Sequence, residues 1–183
     1  MFYTQNLHTH GVLCDGKNEY EDTVQKAMEC GLTSLGFSGH SYTEYSKGAY
    51  CMTEEKTLLY KKEINRLKVK YKDQLEIFCG LEFDQYSTDD KKGYDYIIGT
   101  LHYFKFGNEF VTFDRSADWV KQVIDDYFNG DGLKYAKEYY RQFAELPKYG
   151  KFDLVGHFDL ITKHSETHDF FNTNSPSFHG FLI

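Results

Sequence analysis

Within its first fifteen residues the chain carries His8, His10, Cys14 and Asp15, in the stretch LHTHGVLCD. Imidazole nitrogens and carboxylate oxygens are metal ligands. If the stretch is a β-strand, its side-chain period of two turns His8 and His10 to one face, where both can close on a single ion. His-x-His also occurs in ordinary strands whose rings bond only to backbone or water, and a metal site needs three or more converging ligands. Further candidates follow: His40 in GFSGHS, Glu82 in GLEFD, His102 in GTLHYF and His157 in LVGHFDL. This nitrogen and oxygen set suits divalent ions such as Zn, Mn, Fe or Co, and the ligand types do not choose among them.

The elements that must position these residues are legible as periodicities. Residues 2–14 are expected as a strand, and Val24, Ala27 and Met28 recur at helical spacing before Gly31, a good C-terminal cap residue. LTSLGFSGH is a short apolar run ending in His40. TEEKTLLYKKEINRLKVKY reads as a helix with Thr53 as its cap and Tyr60, Ile64, Leu67 and Tyr71 on one face. LEIFCGLEFD and YDYIIGTLHYF are near-continuous apolar runs, as parallel strands buried on both faces should be, and they end at Glu82 and His102. SADWVKQVIDDYF and LKYAKEYYRQFAEL read as two helices, the second running into Pro147, and KFDLVGHFDL reads as a fifth strand ending near His157. In parallel α/β folds the carboxyl ends of strands carry the chemistry, so five successive strand ends bearing His or Glu are expected to converge on one rim.

The bulk numbers fit one domain with a sizeable aromatic core: 183 residues, 40% hydrophobic and 18% aromatic. A formal net charge of -7 argues against a duplex-binding surface, which needs clustered Lys and Arg, but allows a small anionic substrate if metals supply local positive charge. The four cysteines, Cys14, Cys30, Cys51 and Cys79, form no C-x-x-C pair, so neither a zinc knuckle nor a disulfide framework is expected, and reduced thiols fit best. With no basic leader followed by an apolar run and no apolar stretch of membrane-spanning length, the expectation is a soluble cytoplasmic protein with no nucleic-acid or membrane partner.

Taken in order, LHTHGVLCDG, GFSGHS, GLEFD, GTLHYF and GKFDLVGHFDLITK resemble the polymerase and histidinol phosphatase (PHP) family of metal hydrolases, most closely its histidinol-phosphatase branch. The resemblance implies a distorted seven-stranded, TIM-like βα barrel with two or three divalent metals at its carboxyl rim. It also implies phosphate monoester hydrolysis, L-histidinol phosphate to L-histidinol in histidine biosynthesis. By position, it implies that His8 and His10 hold one metal, that Glu82 bridges it to a second held by His102 and His157, and that Asp15 and His40 hold a third. A bridging carboxylate offers one oxygen to each of two cations that would otherwise repel. The implied mechanism lowers the pKa of a bridging water and clamps the phosphate for in-line displacement, with His40 also a candidate for protonating the leaving alkoxide. Asp159 could orient His157 or simply cap a strand end.

The chain departs from the family after Asp159: the family's further buried strand and its Ser-Asp-Ala-His-like strand end are not found there. The expectation is therefore a single domain over residues 1–183 lacking C-terminal strands, about five βα units long, with an open barrel edge able to self-associate or pair with a partner chain. Ser175 and Pro176 look like the start of a further helix. Alternatives are a phosphodiesterase or exonuclease of the same family, an amidohydrolase, whose bridging ligand is commonly lysine where this chain places Glu82, and a non-catalytic metal-binding remnant. Lys17, Lys47 and Arg115 are read as solvated charge rather than phosphate ligands, and His164, His168 and His179 as solvent-facing.

Overall fold

A computed structural model of the chain describes residues 4–46, 50–165 and 167–172. These form two compact units, one built from residues up to 99 together with 152–156, the other from 100–151 together with 157 onward.

The first unit begins as a βα repeat: β1 (Gln5–Asn6), α1 (Tyr20–Glu29), β2 (Ser34–Phe37), α2 (Glu54–Lys70) and β3 (Glu76–Asp84). With β4 (Tyr96–Thr100) and β7 (Leu154–Val155) these strands make a five-stranded sheet in the order β1-β2-β3-β4-β7. The pairs β1–β2, β2–β3 and β4–β7 are parallel. The five strands agree in number and type with the expected incomplete barrel. No helix separates β3 from β4, because residues 85–95 are polar and turn-forming, with Asp89 and Asp90 side chains capping local backbone amides.

The helices form where the periodicity places them. Tyr20, Val24 and Ala27 of α1 and Tyr60, Ile64 and Leu67 of α2 are buried, and they meet Leu35, Phe37, Ile77, Cys79 and Leu81 of β2 and β3 in one core. Each Val, Leu, Ile or Phe side chain among them removed from water contributes about 1.5–3 kcal/mol, which is what holds these short elements together. Thr53 caps α2 by accepting from Lys56 N at 3.3 Å, and Gly31 closes α1 at φ 77°.

Among the described residues β1 is much shorter than expected. There the ladder covers Gln5 and Asn6, and then the Tyr96 hydroxyl from β4 enters between the two strands, donating to Leu7 O and lying 3.2 Å from Phe37 O. The contact resumes one step further on, where Ser38 N donates to Thr9 O at 2.9 Å. To reach this position the Tyr96 ring crosses Gly80 of β3 and Gly36 of β2: a Cβ on either would lie 2.2 Å from a Tyr96 atom. Two glycines on adjacent strands thus form a channel for one aromatic side chain.

In the second unit β5 (Tyr103–Phe106) and β6 (Glu109–Thr112) form an antiparallel hairpin, followed by α3 (Ala117–Phe128) and α4 (Gly132–Phe143). The apolar run YDYIIGTLHYF, expected as one strand ending at His102, is divided: β4 stops at Thr100 and β5 starts at Tyr103, and Gly107-Asn108, with Gly107 at φ 62°, makes the two-residue turn that joins β5 to β6. The aromatic content is concentrated here: Phe104 packs against Phe113, Phe128 and Tyr135 with ring centroids 4.9–5.6 Å apart. Ser116 and Asp131 cap the two helices. α4 stops at Phe143, and Pro147 lies in a 3-10 turn over Leu146–Tyr149 rather than at the helix end. Ser175 and Pro176 lie outside the described residues. Among the described residues no helix is long and apolar enough to cross a membrane.

Candidate metal centre

The register of the first unit carries Glu82 and His40 to each other. The parallel pairing of β2 and β3 continues past Phe37 as an isolated bridge between His40 and Glu82, closed by Glu82 N to Gly39 O at 3.1 Å and Ser41 N to Glu82 O at 2.8 Å. Glu82 is 1% exposed. Removing a carboxylate from water is costly unless cations or strong donors surround it.

Three imidazoles do so. Oε2 of Glu82 lies 2.9 Å from His8 Nε2, 3.0 Å from His10 Nε2 and 3.2 Å from His40 Nδ1. Two of these three rings, His10 and His40, turn their other nitrogens to Asp15, at 2.8 Å from His10 Nδ1 and 3.5 Å from His40 Nε2. The result is a closed ring, Glu82, His10, Asp15, His40, with His8 attached at Glu82. A ring nitrogen that donates to a carboxylate leaves its opposite nitrogen as a lone-pair donor of fixed direction, the carboxylate–histidine–metal arrangement.

The spacing fits a divalent ion. Ligands about 2.0–2.1 Å from a tetrahedral metal stand about 3.3 Å from one another, close to the 2.9–3.2 Å separations around Glu82 Oε2. Two groups of donor atoms in this unit lie within 4.8 Å of one another: His8, His10 and Glu82, and His10, Cys14, Asp15 and His40. The electrostatics point the same way. Burial acts to lower the pKa of His10, but its bonds to Asp15, Cys14 and Glu82 outweigh this and push it up to about 12. Burial acts to raise Asp15, and the His10 and His40 bonds overcome it and hold its carboxyl well below the ordinary range. The negative field that keeps a proton on His10 is the field that attracts a cation.

His8 and His10 both face Glu82, but from the segment beyond β1, not from the strand itself, because the Tyr96 hydroxyl takes up the Leu7 carbonyl. In the second unit His102 and His157 come together with ring centroids 5.0 Å apart, each two residues beyond a strand end, Thr100 and Val155. The Tyr139 hydroxyl donates to His157 O at 3.3 Å. Asp159 lies outside β7, is exposed, and leads into a 3-10 turn over Leu160–Thr162. Lys17 is exposed, Arg115 sits 5.0 Å over the Trp119 ring, His164 lies 3.3 Å from Asp114 O, and His168 stacks on Phe170. Lys47 and His179 lie outside the described residues.

Two contributors escaped the sequence reading. Cys14 was legible only as a neighbour of Asp15, and the Tyr96 channel had its signal in Gly36 and Gly80, whose joint role depends on strand pairing.

The model of the PHP domain matches residues 6–178. The chain belongs to the PHP domain family. This PHP domain is 25% identical over 166 residues to a Deinococcus radiodurans protein named "Probable histidinol-phosphatase", covering 85% of this chain and 60% of that one. It is 25% identical over 173 residues to a protein of the same name from Schizosaccharomyces pombe, covering 84% of this chain and 55% of the relative. The chain thus spans little more than half the length of these curated relatives. The crystal structure of histidinol phosphate phosphatase from Lactococcus lactis, complexed with zinc, L-histidinol and phosphate, superposes with a TM-score of 0.66 at 20% identity, covering 87% of this chain and 59% of that one. That likeness establishes the α/β fold.

Proposed function

We propose that this PHP domain is a metal-dependent phosphate monoester hydrolase acting on L-histidinol phosphate, with His8, His10, Asp15, His40 and Glu82 as metal ligands and His102 and His157 as further ligands. The observation that carries the reading is the buried Glu82 carboxylate facing three imidazoles, two of which also face Asp15. The names of the two curated relatives and the ligands of the Lactococcus lactis structure support the substrate. The match of the family model across both units supports reading residues 1–183 as one domain.

Bound divalent ions supply Lewis acidity: they lower the pKa of a water and neutralise phosphate oxygens. The protein's own part is orientation. Glu82, held by the β2–β3 register, presents one oxygen to three histidines, and Asp15 fixes the ring orientation of His10 and His40. His40, reached by both carboxylates, is the ligand that also protonates the leaving alkoxide from the nitrogen not engaged by metal. The free state of Cys14, Cys30, Cys51 and Cys79 supports a reducing, cytoplasmic location.

The test is phosphate release from L-histidinol phosphate by protein purified without chelator, with metal content measured in the same sample. Turnover that chelation abolishes and Zn, Mn, Fe or Co restores is expected. Stoichiometric metal without release of phosphate from this substrate would overturn the assignment.

A further inference from the structure

The outer group of the ring contains a sulfur. Cys14 Sγ lies 3.7 Å from His10 Nδ1, and the backbone N–H of His40 donates to it at 3.1 Å. Its Sγ and single donor atoms of His10, Asp15 and His40 all lie within 4.8 Å of one another. A neutral imidazole has one lone pair, so when His10 uses Nε2 for an ion shared with Glu82 its Nδ1 keeps the proton and points to Asp15. An ion beside Asp15 and His40 then has two side-chain ligands, one fewer than a metal site requires, and within this group Cys14 is the remaining donor.

We infer that Cys14 is a thiolate ligand of the ion held by Asp15 and His40, which makes this outer site thiophilic. On binding, the S–H proton leaves to solvent, a sulfur–metal bond forms, and the His40 N–H donates to the thiolate. A sulfur, nitrogen and oxygen set favours Zn, Co or Cd over Mn or Mg, whereas the His8, His10 and Glu82 group carries no such bias. The position of Cys14 between His10 and the His40 backbone distinguishes it from Cys30, which is exposed, and from Cys51 and Cys79, which are buried.

The inference rests on the proposed role of Asp15 and His40 as ligands, and a cobalt titration separates the two. The full chain, freed of metal, is titrated with Co(II) and read by absorption. A sulfur-to-cobalt charge-transfer band that grows with the visible ligand-field bands is expected. The Cys14→Ser variant should lose the charge-transfer band, keep the ligand-field bands and bind at least about tenfold more weakly at that site. The Cys30→Ser variant should keep both. Ligand-field bands without charge transfer, or a charge-transfer band that survives in Cys14→Ser, would overturn the role of Cys14 and leave the histidine and carboxylate sites standing. No cobalt uptake would overturn both. Alkylation of the wild-type chain, mapped by mass spectrometry, needs no variant: Zn should protect Cys14 and leave Cys30 reactive, and equal modification of Cys14 with and without Zn would also refute the inference.

Discussion

Replacing Gly80 by alanine would put a methyl group where Tyr96 already lies. The added Cβ would sit 2.2 Å from Tyr96 Cζ and 2.5 and 2.6 Å from two further ring carbons, so the ring must move. Overpacking of this kind costs about 1–3 kcal/mol. Displacing the ring also breaks the hydroxyl bond to Leu7 O, worth about 1 kcal/mol. Alanine returns about 0.4–1 kcal/mol by restricting the unfolded chain. The net loss is about 1–3.5 kcal/mol, a fall in Tm on the order of 2–14 °C for a chain of this size. Because Leu7 precedes His8, the same change should loosen the His8 ligand and weaken zinc binding on the order of tenfold. Thermal unfolding and zinc competition titrations measure the two effects. Gly31→Ala is the control: its Cβ meets nothing within 4 Å and only the φ of 77° is strained, so about 1 kcal/mol is lost and zinc binding is unchanged. If Gly80→Ala matched wild type in both stability and zinc affinity, the channel would have no positioning role.

Glu82→Gln removes the charge that three imidazoles share and should cost more than tenfold in metal affinity, whereas His8→Ala should weaken chiefly the ion that His8 serves; elemental analysis showing the same metal content as wild type in both would sink the ligand assignment. Glu21 accepts from Lys70, Arg66 and Tyr71, which lowers its pKa from the ordinary 4.5 to about 2. Its stabilising contribution is therefore present above pH 4.5 and lost as pH falls through about 2. Urea midpoints measured across that window should fall less steeply for Glu21→Gln than for wild type, and parallel curves would refute the link between α1 and α2. Thr53→Ala deletes the α2 cap and should cost about 1 kcal/mol in denaturant unfolding, with no change in metal content.

Local chemistry made several parts of the molecule legible in the sequence. Thr53 and Gly31 mark helix ends because a cap acts on backbone groups within a few residues, and Tyr60, Ile64 and Leu67 mark a face because the helical repeat is intrinsic to the backbone. The run of His and Glu at the ends of apolar segments was visible for the same reason: what precedes each ligand is a strand-forming run. Other parts depended on partners distant along the chain. The end of β1 at Asn6 is decided by a hydroxyl from Tyr96, and Gly36 and Gly80 acquire their meaning only when β2, β3 and β4 lie side by side. The hairpin over β5 and β6 has a local signal in Gly107-Asn108, the two residues between Phe106 and Glu109. Residue types and spacing determined which side chains could bind a metal. Only the register between β2 and β3 placed His40 beside Glu82, and only the tertiary approach of the His10, Asp15 and His40 side chains placed Cys14 within 4.8 Å of their donor atoms. The physical reason is that ligand chemistry is a property of single residues, whereas donor separations of about 3 Å are a property of chain segments tens of residues apart held by a common core.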